Sequence, residues 1–434
     1  MKKLSTFQIT LLAVFGACAV AGVLIFALFV GKSNTSAVGP VVIWGTVDGP
    51  TFTSMIQDAA NTYPALSGAT YVEKNPSTYS SDITEALASG NGPDLFLITQ
   101  DEAYQDAGEV MLIPYKSLSS TQFQNTFIEA ANPFLLPGGI VALPVAADPL
   151  VLYWNKDILA SAAYAQPPQY WDQLFDMATK MTTRDDAGTI LKSAVALGEY
   201  KNIDDAKDIL AALILQAGGV ITSYDSTGRL DSAISKVGIN PAEPAVETAL
   251  RFFVEFADPS KNDYSWNGSL PEASQDFAQG NLALYIGYAS EEPTIKKENP
   301  NLNFAVAPLP QIRNAAHTTD VARVYALAIT HASKNTQGAL AVAETLAASA
   351  NSAAFATAFN LASARRDVLS QSSSGEQSLF NQATIVSYSW IDPDPEKTGA
   401  LFQDMIGNTT SGAMLIGDAV GRADAQMTQI IGGK

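Results

Sequence analysis

Cysteine is almost missing from this chain: Cys18 is the only one in 434 residues. Intramolecular disulfides and thiolate metal clusters are therefore excluded. An extracellular protein of this kind must rely on a large core, which the length allows. Histidine is scarce too, with His317 and His331 alone. There is no H-E-x-x-H zinc motif and no G-x-S-x-G nucleophile elbow. Gly90-Asn91-Gly92 runs into Pro93-Asp94 instead of completing a dinucleotide fingerprint. Gly31-Lys32-Ser33 has Phe26 where a phosphate-binding loop needs its first glycine. Basic charge is also short: 25 Lys and Arg face 43 Asp and Glu, a net charge of −18. That balance argues against nucleic acid or an anionic lipid surface as a partner. Acids are plentiful enough for a carboxylate-dependent hydrolase, but no spacing specifies the flanking pair that such an enzyme needs.

One long apolar run is present. From Ile9 to Val30 there is no charge, with Lys2 and Lys3 before the run and Lys32 after it. About 20 apolar residues suffice to cross a bilayer as a helix. The flanking lysines favour residues 1–8 as a cytoplasmic tail, 9–30 as a transmembrane anchor, and an extracytoplasmic remainder. A cleaved signal segment and lipidation at Cys18, in Gly16-Ala17-Cys18, are the alternatives. Residues 31–40 are small and polar and read as a linker.

Beyond the linker, strands alternate with helices. Val41–Trp44 reads as a strand, 51–63 as a helix, Tyr71-Val72 as a strand and Ser80–Ser89 as a helix. Gly90 to Pro93 stops that helix, and Asp94–Ile98 is the next strand. Ile140–Pro144 and Leu150–Tyr153 form two more β-prone runs. Helices are expected near 170–181, 209–215 and 242–256, a hairpin at 220–230, and a strand at Ala283–Ile286. The sum is an α/β fold with a mostly parallel sheet, which binds ligands beyond the carboxyl ends of its strands. Asp392-Pro393-Asp394-Pro395-Glu396 reads as a solvated loop, because its prolines deny calcium-loop geometry.

Six stretches share one ordered pattern. They are Val42-Ile43-Trp44; Ser89-Gly90-Asn91-Gly92-Pro93-Asp94; Leu143-Pro144 through Tyr153-Trp154-Asn155-Lys156-Asp157; Pro167-Pro168 with Trp171-Asp172; Phe277-Ala278-Gln279-Gly280-Asn281-Leu282-Ala283-Leu284; and Ala364-Arg365-Arg366-Asp367-Val368. In this order the chain resembles family 1 extracellular solute-binding proteins of ABC importers, the maltose-binding-protein-like group. The resemblance implies a periplasmic-binding-protein-like fold of two α/β lobes joined by a hinge around a ligand cleft. Lobe 1 would be 41–147 and 325–361; lobe 2 would be 149–322 and 365–434. The crossings would fall near 145–151, 321–326 and 361–367. It also implies a non-enzymatic receptor with no cofactor and no metal, which delivers a small solute, a sugar or oligosaccharide, to permease subunits. A membrane-anchored sensor or adhesion module would use the same fold.

By position in that resemblance, Asp48, Asp101 and Asp148 are expected to accept hydrogen bonds from ligand hydroxyls. Trp44, Tyr200, Trp266, Tyr288, Tyr325 and Trp390 are candidate faces for sugar rings. Each acid could equally cap a helix or sit in an exposed loop, and Trp44 could belong to the core. Trp171 reads as packing within its amphipathic helix.

Overall fold

Alternation of apolar side chains makes Val41–Gly45 a strand (β1) that buries Val41, Ile43 and Gly45. At the following turn the Asp48 carboxylate accepts the Thr51 N–H at 2.9 Å and caps helix α1 (Gly49–Ala60). Pro50 occupies the first turn, where a missing N–H leaves no helical bond unmade. Phe52, Met55 and Ile56, spaced by three and one, bury the inner face of α1. Strands β2 (Ala69–Glu73) and β3 (Leu95–Thr99) flank β1, both parallel to it. Gly90, in the left-handed region at φ +69°, ends the intervening helix Tyr79–Ala88. The Asp94 carboxylate then ties the corner down: Oδ2 accepts the Val42 N–H at 3.0 Å and Oδ1 the Ser333 hydroxyl at 2.6 Å.

The computed structural model describes residues 38–236 and 244–433. The expected anchor 9–30, Cys18 and most of the linker lie outside the described residues. Among the described residues, no helix is long and apolar enough to cross a membrane.

The organising element is β4 (Ala142–Asn155), a single strand of 14 residues that is about 45 Å long. The two β-prone runs expected around Pro144 and Pro149 are thus one strand. Pro144 sits beside a shift in the ladder, and Pro149 lies where the pairing with Ala322 ends. Four later strands pair with β4: β5 (Leu282–Tyr288), β6 (Phe304–Ala307), β7 (Asp320–Ile329) and β8 (Ala362–Ser363). The first half of β4, Ala142–Pro149, pairs antiparallel with β7, which also pairs with β3. Its second half pairs with β5 and with β6. The continuous sheet therefore has two halves that share β4. The half carrying β1–β3 packs Phe52 edge-on to Tyr71 and Phe355. The half carrying β5 and β6 packs Tyr153, Phe277, Tyr285 and Phe304 together. Each such buried ring contributes about 2–3 kcal/mol by removal from water.

At Ala146 and Ala147, three strands run side by side. Val324 and Tyr325 of β7 pair on one edge, and Ala362 and Ser363 of β8 on the other. The register of β7 shifts between Tyr325 and Ala326, leaving Val145 as the extra residue. Its carbonyl accepts the Ser352 hydroxyl at 2.5 Å, and Ser352 Oγ also lies 2.6 Å from Ser363 Oγ. Ser352→Ala strips a buried donor from this bulge. It is expected to lower stability in urea unfolding by about 1–3 kcal/mol, the usual cost of a buried polar group left unpaired.

Candidate ligand-binding site

The site grows out of the place where β4 and β7 cross together. Asp148 lies on β4 directly opposite Arg323 on β7. Asp148 is fully buried. Its Oδ1 accepts the Ser290 N–H at 3.0 Å, while its Oδ2 has no hydrogen-bond partner. Burial pushes the Asp148 carboxyl up to about 6, against the pull of the Ser290 bond and of Arg323.

Arg323 is held by the other half of the sheet. Its guanidinium lies 4.0 Å over the Tyr288 ring at the end of β5. It stands 3.8 Å from both Asp205 and Asp208 at the start of helix α2 (Ala206–Gln216). The Tyr288 hydroxyl donates to Asp208 Oδ2 at 2.8 Å, and the Tyr288 carbonyl accepts the Tyr153 hydroxyl at 2.7 Å. Although these groups surround it, 35% of the Arg323 side-chain surface stays open to solvent. The guanidinium is thus surrounded by acidic and aromatic side chains and still partly open to solvent.

The opposite wall comes from the turn after β3. Gln100 accepts the Val324 N–H at 2.6 Å and so fixes this turn against β7. The next residue, Asp101, is half-buried, and its Oδ1 has no hydrogen-bond partner. Its charge reaches Lys207, Asp392 and Tyr325. Beside it, Glu102 accepts the Thr99 N–H at 2.8 Å. Burial first, then the neighbouring Asp101, pushes the Glu102 carboxyl up to about 7. Tyr325, on β7, stands between Asp101, Asp148 and Arg323; burial and these carboxylates raise its hydroxyl above the ordinary range.

A third wall is made by Lys207 and the segment before helix α3 (Pro395–Thr410). Lys207 Nζ donates to Asp392 Oδ2 at 2.6 Å and to the Thr398 hydroxyl at 2.8 Å. It lies 5.4 Å from the Trp390 ring, which stacks on Phe402. Burial opposes the Lys207 charge, but Asp392 wins and raises it. Burial likewise drives the Asp392 carboxyl up to about 6 despite this partner. Tyr200 is half-buried nearby, within the field of Lys207, Asp208 and Asp392. A Cβ at Gly399 would meet its hydroxyl at 3.3 Å, so the glycine lets α3 close on it.

Of the residues expected from sequence, the structure brings together Asp101, Asp148, Tyr200, Tyr288, Tyr325 and Trp390. Trp44 and Asp48 have other neighbours: Lys74 Nζ sits 3.7 Å over the Trp44 ring, and Asp48 is the exposed cap of α1. The bond to Thr51 holds the Asp48 carboxyl below its ordinary value. Trp266 is in the core, wholly buried, with its indole N–H donating to Asn202 at 3.1 Å, so it offers no face to a ligand. Trp171 is buried, as its helix pattern implies. The expected solvated loop at 392–396 is corrected: Asp392 is 1% exposed and Asp394 8% exposed. Lys207 supplies the counter-charge that makes burial of Asp392 tolerable. Arg323, Asp205, Asp208 and Lys207 were not anticipated. Arg323 did leave a signal, as a lone cation in the apolar strand Asp320–Ile329.

Among the described residues, no group of acids, histidines or cysteines could hold a metal ion. The crevice has acceptor-rich walls and no assembled nucleophile and base. Its unpartnered oxygens, Asp101 Oδ1 and Asp148 Oδ2, are acceptors that call for donors.

Comparison with known proteins points the same way. The family model for bacterial extracellular solute-binding protein matches residues 49–353. The maltodextrin-binding protein MdxE of Bacillus subtilis is 24% identical over 227 residues, 52% of this chain and 49% of that protein. The chain thus matches about half the length of this curated relative. A cyclo/maltodextrin-binding protein in complex with maltotetraose superposes with a TM-score of 0.72 at 16% identity, over 92% of this chain and 99% of that one. The cyclic alpha-maltosyl-1,6-maltose binding protein of Arthrobacter globiformis gives 0.73 at 17% identity, over 91% and 100%. These likenesses establish the periplasmic-binding-protein-like α/β fold, and the family is one of binding proteins rather than enzymes. With its model matched across most of the chain, this protein belongs to the bacterial extracellular solute-binding protein family.

Proposed function

We propose that this chain is the receptor subunit of an ABC importer, taking a sugar or oligosaccharide into the crevice and passing it to permease subunits. Lobe 1 (41–147 and 325–361) and lobe 2 (149–322 and 365–434) close on the solute by bending where β4, β7 and β8 run together. The run 9–30 tethers the receptor to the membrane, with its soluble part outside.

One observation carries this reading. Asp101 and Asp148 approach the same crevice from different elements, each with a carboxylate oxygen that no protein donor satisfies. Buried acceptors of this kind need donors, and a polyhydroxylated ring supplies several at once. The structural neighbours that hold maltotetraose and tagatose support a sugar as the class.

The test is thermal-shift screening of the full chain in detergent against maltotriose, maltotetraose and tagatose, followed by calorimetry. A bound sugar at a hundred times its Kd should stabilise the protein by about 2.7 kcal/mol. Solution scattering should show a smaller radius with sugar and no turnover. Asp148→Ala should weaken binding by roughly 10- to 100-fold, the value of a charged hydrogen bond, and Tyr288→Ala should weaken it indirectly, by freeing Arg323 and Asp208 from the ring and hydroxyl that hold them. Unchanged affinity in both would remove this crevice as the site. No response to any sugar would sink the sugar reading. Binding and closure without co-purifying permease subunits would favour the sensor alternative.

A further inference from the structure

We infer that the solute of this crevice carries a positive charge: it is an amine-bearing sugar rather than a neutral one. The inference rests on the sugar reading above and narrows it.

Two cations, Arg323 and Lys207, stand among six acids, Asp101, Asp148, Asp205, Asp208, Glu291 and Asp392; burial, then Glu291, pushes Asp205 well up towards its neutral form, and the other acids still outnumber the cations. Both cations act on the two open carboxylates, Arg323 on Asp148 and Lys207 on Asp101, but neither makes a hydrogen bond to their unpartnered oxygens. Lys207 is taken up by Asp392 and Thr398 on the α3 side. Arg323 sits opposite Asp148 on the neighbouring strand, but its ion-pair contacts run to Asp205 and Asp208, and its plane covers Tyr288. What remains is a fully buried carboxylate oxygen, Asp148 Oδ2, and a second one, Asp101 Oδ1, both without a hydrogen-bond partner.

An ionised carboxylate only accepts hydrogen bonds. Hydroxyls of a neutral sugar would satisfy the lone pairs and leave the surplus charge in place. A protonated amine would satisfy them and neutralise it; both donors make charge-assisted bonds to a carboxylate, so the difference between them is the compensating charge. The aromatic walls favour the same choice. The Tyr288 face is covered by Arg323 and Trp390 is stacked on Phe402, so two of the expected sugar platforms are already engaged. Recognition therefore shifts from ring stacking to charge. Burial raises the Asp148 and Asp392 carboxyls to about 6, and a bound cation would favour their ionised forms.

Calorimetry on the full chain in detergent, at neutral pH and low salt, tests this with two isosteric probes. One is the β-1,4-linked glucosamine disaccharide; the other is cellobiose, with hydroxyls in place of the amines. Maltotriose and putrescine serve as a further neutral sugar and a sugar-free amine. The amine disaccharide is expected to bind at least about tenfold more tightly than either neutral sugar. That lead should fall below about threefold in Asp101→Asn or Asp148→Asn, and should shrink with added salt. Two variants on separate elements guard against one that fails to fold. Equal or tighter binding of cellobiose or maltotriose would overturn the inference and leave the sugar reading standing. Putrescine binding as tightly as the amine disaccharide, or no sugar binding at all, would overturn both.

Discussion

Asp148→Asn is expected to make the unliganded protein more stable at pH 8 than the parent, and at the same time to weaken its hold on ligand at least about tenfold. Asparagine keeps an oxygen for the Ser290 N–H, removes the charge and puts an NH2 in place of the unpartnered Oδ2. The gain follows from the raised carboxyl. Asp148 titrates near 6 in the folded chain against 3.8 ordinarily, because burial disfavours its ionised form. Between those values the folded state holds more protons than the unfolded one, so the Asp148 contribution to stability falls as pH rises. It is lost in full above about pH 6. A shift of this size corresponds to about 3 kcal/mol at pH 8. At pH 4 parent and variant should converge. Thermal melts at both pH values check this. An equal melting difference at pH 4 and pH 8 would show that the Asp148 charge is not what burial penalises.

Much of the fold was legible because local physics set it. The alternation in Val41–Gly45, the Asp48 cap and the glycine stop at Gly90 each depend on neighbours within a few residues. The strand Ala142–Asn155 looks like two in sequence because a proline reads as an end, whereas the bulge at Val145, whose carbonyl takes the Ser352 hydroxyl, lets the strand continue past Pro144. The site was legible in part. Asp101, Asp148, Tyr325 and Tyr288 could be placed from the ordered motifs around strand ends and crossings. Their charges could not be balanced from sequence, since the partners are remote: Arg323 faces Asp148 only once β7 lies against β4. Lys207 and Asp392 are 185 residues apart, and the prolines around Asp392 disguised a buried acid as a surface loop. Trp44 and Asp48 are expected ligand contacts whose nearest partners in the structure are local, Lys74 over the Trp44 ring and the Thr51 N–H on Asp48.

Lys207→Met should destabilise the protein by about 3–5 kcal/mol at pH 8, the usual result of removing one member of a buried ion pair. The side chains of Lys207 and Asp392 are 16% and 1% exposed, so solvent does little to screen the loss. The pair also ties α2 to the segment before α3, and it gives Thr398 a second role as donor to Asp392 Oδ1 at 2.9 Å. Without the ammonium, the Asp392 carboxyl rises further above its present value near 6. Folded Asp392 then takes up a proton that the unfolded chain releases near 3.8, so the penalty is complete at high pH and relaxes as pH falls through the raised value. Urea midpoints for Lys207→Met should therefore approach those of the parent near pH 5 and separate widely at pH 8. A double variant, Lys207→Met with Asp392→Leu, replaces both charges with apolar groups and should recover most of the stability at every pH. If the double variant is as unstable as the single one, the pair's hydrogen bonds to Thr398, rather than its uncompensated charge, hold α3 against α2. In that case the same double variant should still bind ligand through Asp101 and Asp148, whereas loss of binding would place Lys207 and Asp392 in contact with the solute itself.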